Sequence, residues 1–112
     1  MFSKCHNLTA APQILATTAA ASACWYMFEQ CSSLTVMPEI MITALANNCL
    51  ANMFNNCTNL SSINVALTEW PGDNLSATYE WVSGVAANGT FTKPSILSAE
   101  YGNSRIPTNW NV

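Results

Sequence analysis

Met27-Phe28-Glu29-Gln30-Cys31-Ser32-Ser33-Leu34-Thr35-Val36-Met37-Pro38-Glu39-Ile40 opens on a Met-Phe pair that returns at a fixed distance on either side. The same pair stands at Met1-Phe2 and at Met53-Phe54, so the spacing is 26 residues both times (27 − 1 = 53 − 27 = 26). Four residues after each Met stands a cysteine (Cys5, Cys31, Cys57), and three further on a leucine (Leu8, Leu34, Leu60). Laid without gaps on residues 27–52, residues 1–26 agree at Met1, Phe2, Cys5, Leu8, Thr9, Pro12, Ile14, Thr17 and Ala20. A fixed period of this length marks stacked structural repeats, and about 20–29 residues is the range of leucine-rich repeats.

Within a unit, Cys24, Met27, Phe28 and Cys31 stand at i, i+3, i+4 and i+7, and Leu50, Met53, Phe54 and Cys57 repeat that spacing. The pattern predicts one apolar face of a short helix, with Asn47 or Asn48 as N-cap of the second. The run Leu34-Thr35-Val36-Met37 reads as a short strand ended by Pro38, which has no N–H for a ladder. A Thr- and Ala-rich return completes the unit. One unit cannot bury its apolar face alone, so equivalent residues are expected to stack in columns: Met1/Met27/Met53, Cys5/Cys31/Cys57 and Leu8/Leu34/Leu60. These columns account for the Met, Phe and Cys residues as core. Because Met1 occupies the repeat methionine position, the chain is expected to start in mid-repeat, as part of a longer array or as a very short member.

The pattern fades after Ile63. Trp70-Pro71-Gly72-Asp73 reads as a turn. Ser76 is placed to cap a short helix through Tyr79, Trp81 and Val82, with Gly84 as its C-cap. Asn88-Gly89 is a turn signal before the strand-like Thr90-Phe91-Thr92, and the run from Ile106 to Val112 alternates and is expected to pair beside it. Trp70, Trp81 and Trp110 read as a seal over the end of the core, with an aromatic platform for a sugar or protein as the second reading.

Composition narrows the function classes. Of 112 residues 50% are hydrophobic but only 8% charged, against about 25% charged in an ordinary domain. Three Lys plus Arg cannot neutralise a run of phosphates, which excludes a nucleic-acid partner. The apolar stretch from Ala11 to Phe28 is diluted by Pro12, Gln13, Thr17, Thr18 and Ser22, so no transmembrane span is expected. The five cysteines are odd in number and lack the short spacings of a zinc site; no metal and no cofactor are expected. Catalysis is not expected either. His6 is the one histidine and is a chain neighbour of Cys5 rather than a partner across a fold. Glu29, Glu39, Glu69, Asp73, Glu80 and Glu100 are scattered, and no nucleophile elbow, phosphate loop or metalloprotease motif occurs. Five Asn-x-Ser/Thr matches begin at Asn7, Asn56, Asn59, Asn74 and Asn88; in an Asn- and Thr-rich repeat they carry little information on glycosylation.

The units Cys24-to-Ile40 (CWYMFEQCSSLTVMPEI) and Cys49-to-Val65 (CLANMFNNCTNLSSINV), with the tail from Tyr79 (YEWVSGVAANGTF … GNSRIPTNWNV), resemble the BspA-like leucine-rich repeats of bacterial surface proteins of the Bacteroides type. The chain departs from that pattern where Lys4, Gln30 and Asn56 replace the frequent glycine before the repeat cysteine, where Asn64 stands in place of the repeat proline, and where Cys24 lies one position late. The resemblance implies a right-handed leucine-rich-repeat solenoid on secreted or surface-attached proteins, used for adhesion and recognition, without catalytic residues. The expected fold is then α/β: short parallel strands and short helices at a 26-residue period over residues 1–67 (units 1–26, 27–52 and 53–67 onward), with a helix and β-hairpin cap over 68–112. The expected function is a non-catalytic adhesion module, extracellular or at the bacterial cell surface, binding a protein or glycan on a host or neighbouring cell. Exposed positions beside the strand leucines are the expected contact residues: Thr9, Gln13, Thr35, Glu39, Ser61 and Asn64. The alternative is a phage tail or fibre component, or a structural spacer, built from the same repeats.

Overall fold

The computed structural model describes residues 2–71 and 75–112. Met1, part of the turn read at Trp70–Asp73 and the acceptor motif at Asn74 fall outside them. The 26-residue spacing appears as a ladder of backbone hydrogen bonds between layers. Phe2 N–H donates to Met27 O (2.8 Å), Phe28 N–H to Met53 O (2.9 Å) and Phe54 N–H to Trp81 O (2.9 Å). On the opposite side of each layer lie the strands β1 (Val36–Ile40), β2 (Ser62–Val65) and β3 (Thr90–Thr92). They form one parallel sheet in the order β1-β2-β3. Single bridges extend it at both edges, Ala10 and Ile14 pairing beside β1 and Asn111 beside β3, and Thr18 bridges Ala44 beyond the end of β1.

The expectation of an α/β leucine-rich-repeat solenoid is overturned. Among the described residues there is no α-helix, and the only helical element is one 3-10 turn at Leu75–Thr78. The body measures 34 × 28 × 21 Å, a compact globule around a three-stranded sheet. The helices fail for a definable reason. In an α-helix every N–H bonds four residues back within the same segment. Here alternate N–H groups are spent between layers: Cys24, Tyr26, Phe28 and Gln30 donate to the carbonyls of Cys49, Ala51, Met53 and Asn55. The intervening N–H groups of Trp25, Met27, Glu29 and Cys31 close turns onto the residue three back. Every fourth residue then takes positive φ: Ser22, Tyr26 and Gln30 in one layer, Asn48, Asn52 and Asn56 in the next, Glu80 and Gly84 in the third. Each stands third in a turn closed by such a bond, the place where a type II turn requires positive φ. Asparagine tolerates it best of the non-glycine residues, so Asn48 shapes a turn instead of capping a helix.

The expected cap is corrected as well. Among the described residues no hairpin forms, because the final segment runs parallel to β3: Phe91 N–H bonds Asn111 O (2.8 Å) and Asn111 N–H bonds Gly89 O (2.9 Å). Nor is the period lost after Ile63. It lengthens from 26 to 28, as the pairs Ser62↔Thr90 and Ile63↔Phe91 show (90 − 62 = 91 − 63 = 28). Two extra residues between Ala66 and Ala77 absorb the difference.

The core follows the columns. The rings of Phe2, Phe28 and Phe54 stack at 5.3 and 5.9 Å, nearly parallel, and Trp81 continues the row 6.0 Å from Phe54. The Cys31 thiol donates to Phe2 O and the Cys57 thiol to Phe28 O, both at 2.9 Å. Trp70, Trp81 and Trp110 are buried, each indole N–H satisfied by a carbonyl, of Ser98, Arg105 and Ala86 respectively. They are core groups, which removes the aromatic-platform reading for all three.

Candidate recognition surface

Side chains alternate across a strand, and here the alternation is sharp. Met37, Ile40, Ile63, Val65 and Phe91 point into the core. Val36, Ser62, Asn64, Thr90 and Thr92 face outward. Parallel neighbours lie about 4.8 Å apart, so the outward residues form rows across the sheet. One row runs Ala10, Val36, Ser62, Thr90; the next pairs Asn64 with Thr92.

Thr9, Thr35 and Ser61 stand at the entry to the strands and are exposed. Backbone bonds tie them into a file: Thr35 donates to Thr9 O through both its N–H (3.1 Å) and its hydroxyl (3.2 Å), Ser61 N–H to Thr35 O (3.1 Å), and Thr90 N–H to Ser61 O (2.9 Å). Gln13 is exposed one residue before the Ile14↔Ile40 bridge. Glu39 is half-exposed in the irregularity between Met37 and Ile40, where the register with β2 shifts. Asn64 is half-exposed in β2. The backbone register thus sets the six expected residues along two lines that cross the layers, Thr9–Thr35–Ser61 and Gln13–Glu39–Asn64. Among the described residues the side chains of Gln13, Glu39, Ser61 and Asn64 are held by no hydrogen bond, leaving their polar atoms free for a ligand.

The reactive groups lie elsewhere. Cys24, Cys31, Cys49 and Cys57 are buried free thiols and Cys5 is half-buried. Burial pushes the Cys57 thiol up to about 12, and raises those of Cys24 and Cys31 too. His6 is exposed, its Nδ1 3.1 Å from Ser32 Oγ one layer on. Among the described residues no group of three or more His, Cys, Asp or Glu is placed to hold a metal ion, and no helix is long and apolar enough to cross a membrane.

Sequence reasoning missed one polar cluster, built around Arg105. Its side chain is 18% exposed, with Nε 3.4 Å from Glu100 Oε1. A terminal guanidinium nitrogen donates to Thr78 Oγ1 (3.3 Å) and Ser104 O (3.0 Å), and the guanidinium carbon lies 5.4 Å from the Trp70 ring centre. The Ser98 hydroxyl, donating at 2.6 Å, and then Arg105 hold the Glu100 carboxyl below its ordinary range. A cleft of about 330 Å³ opens beside this group, with Glu69, Trp70 and Ile96 on its walls. These residues meet only through the closing of the last loops, and the sole trace in the sequence is that Arg105 is the one arginine of the chain. No protein-family model, no curated protein and no solved structure matches this chain.

Proposed function

We propose that this chain is a non-catalytic recognition module that binds a protein or glycan ligand through the outward face of its sheet. The observation that carries the reading is the segregation of its polar chemistry. Hydroxyl groups at Thr9, Thr35 and Ser61 line an exposed file held by backbone bonds, with the Asn64 amide half-exposed in the neighbouring line, while four of the five thiols are buried in the core. A face positioned by backbone bonds is ordered before a ligand arrives, which lowers the entropic cost of binding. The Met-Phe-x-x-Cys-x-x-Leu units, through their resemblance to BspA-like proteins, support a place outside the cell or on the bacterial surface.

The test is a glycan array and a pull-down from host and bacterial surface proteins with the intact chain, followed by Thr35→Ala and Asn64→Ala. The expected result is a ligand whose binding falls with either substitution. No binding at roughly 100 μM, an affinity of only about 5–6 kcal/mol, overturns the reading. It would favour a structural spacer, on a cell or a virion, which the side-chain-independent ladder between layers suits equally.

A further inference from the structure

Arg105 also lines a second, larger cleft of about 450 Å³, whose other main walls are Tyr79, Glu80, Tyr101, Asn103 and Ser104. That volume is inside the span of about 300–1,000 Å³ usual for small-ligand sites. The frame around it is tied by hydrogen bonds. Asn103 O accepts from Val82 N–H (3.2 Å), Ser104 O from the Thr78 hydroxyl (2.9 Å), and Ser104 Oγ from Glu80 N–H (2.9 Å). Gly102 N–H bonds Ile106 O (2.8 Å) and closes the loop that carries Tyr101.

Tyr79 and Tyr101 are 54% and 52% exposed, whereas Trp70, Trp81 and Trp110 are at most 8% exposed. The two tyrosines are therefore not spent on the core. Each offers an apolar ring face and a hydroxyl tip, a match for a ligand with one apolar face and a hydroxylated rim. The charges point to a neutral ligand. Arg105 is paired with Glu100 and Thr78, and the remaining charged wall, Glu80, is acidic, so the one cation is outweighed by two carboxylates and the cleft carries no net positive charge to hold an anion. A carboxylate and an amide accept and donate to hydroxyls.

We infer that this cleft binds a neutral sugar: one or two pyranose rings of a glycan chain lie against Tyr79 and Tyr101, with hydroxyls bonded by Glu80 and Asn103. The site is separate from the sheet face, so each stands without the other.

The experiment is a titration of the intact, isotope-labelled chain with neutral hexasaccharides of β-1,4-linked glucose, β-1,4-linked N-acetylglucosamine and α-1,4-linked glucose, read from backbone amide shifts. At least one is expected to shift residues 79–80 and 101–105, with a dissociation constant of about 1 mM or tighter. Tyr79→Ala and Tyr101→Ala are each expected to weaken it about tenfold, the size of one lost aromatic contact. Tyr101→Phe keeps the ring and is expected to bind within about threefold of the parent. Both tyrosines are exposed, so an unchanged spectrum elsewhere verifies that the variants fold. Shifts confined to the sheet face around Thr35 and Asn64 would overturn the inference while supporting the function proposed above. No shift with any of the three sugars, or shifts indifferent to both alanine variants, would overturn it outright.

Discussion

Phe2, Cys5 and Leu8 hold the same places in their layer as Phe28, Cys31 and Leu34, or Phe54, Cys57 and Leu60, in theirs. The first three are half-buried, and the other six are fully buried. Residue type and local turn are shared: Lys4, Gln30 and Asn56 all take φ near 60° just before the cysteine. What differs is that Phe28 is stacked between Phe2 and Phe54, while among the described residues Phe2 stacks on Phe28 alone. A motif residue here acquires its energy from its neighbours in the column, not from its own layer.

Truncating the rings tests that statement hardest. Phe54 is flanked by Phe28 and Trp81 and fully enclosed. Phe54→Ala is expected to cost about 3–5 kcal/mol, a large part of the stability of a domain this size. Phe2→Ala is expected to cost about half as much or less, since less area leaves water on folding. Urea unfolding followed by tryptophan fluorescence measures both. Equal losses would mean that the layers do not differ as their burial says.

The third layer has its own sensitive points. A Cβ on Gly89 would lie 2.5 Å from the Ser61 backbone oxygen and 2.7 Å from the Trp110 ring, and neither can retreat without moving β2 or the last segment. At Gly84, φ is +80° and a Cβ would meet Asn56 Oδ1, the end of an exposed side chain, at 2.5 Å and the Asn56 backbone at 3.2 and 3.3 Å. Gly89→Ala is accordingly expected to lose about 2–3 kcal/mol, and Gly84→Ala about 1–2 kcal/mol, from the left-handed backbone. The order of the two thermal midpoints checks whether backbone crowding outweighs φ here.

Alkaline pH separates the inner cysteines from the solvent-facing chemistry. The Cys57 thiol is raised to about 12 by burial, from an ordinary 9.0. Below pH 9 folded and unfolded chains both keep this proton, and stability does not depend on it. Between about 9 and 12 the unfolded chain has lost the proton and the folded chain retains it, so stability falls as pH rises, by about 1 kcal/mol per pH unit. Cys24 and Cys31 are shifted in the same direction. Cys57→Ala is expected to start less stable but to show a shallower decline over that window in unfolding titrations; an unchanged slope would assign the decline to other groups.

The comparison also shows where sequence reading stops. The Met-Phe-x-x-Cys-x-x-Leu spacing was sufficient to place Phe, Cys and Leu in columns, because a 26-residue offset maps each onto its equivalent. The same residues misled about helix. Turns recurring every four residues put Cys24, Phe28 and Cys31 inside, much as a helical face would, and only the alternate bonding of N–H groups between layers tells the two apart. Two inserted residues before Ala77 broke the ungapped alignment; with them counted, Val82 is the equivalent of Phe54 (54 + 28 = 82) and Trp81 stands in the methionine place (53 + 28 = 81), so Trp81 was not legible as the next ring after Phe54. At the surface, Thr35 and Ser61 were legible because they sit beside column leucines. Tyr79 and Asn103 were not, since they come together only when the 101–106 loop closes.

The smallest effect tests the turn itself. The resembled repeats favour glycine before the cysteine, and this chain has Lys4, Gln30 and Asn56 there, all at positive φ. For a residue with a Cβ that conformation costs about 1–2 kcal/mol, and glycine removes the cost while adding freedom to the unfolded chain. Gln30 uses its N–H to bond Asn55 O (2.8 Å), which glycine retains. Gln30→Gly is therefore expected to stabilise the chain by about 0.5–1 kcal/mol net. Lys4→Gly relieves the same strain in a layer covered on one side, where local opening competes with global unfolding. Its gain should appear in amide exchange of residues 2–8 and not in the global midpoint. A stabilisation at Lys4 equal to that at Gln30 would show that the half-covered layer unfolds together with the rest.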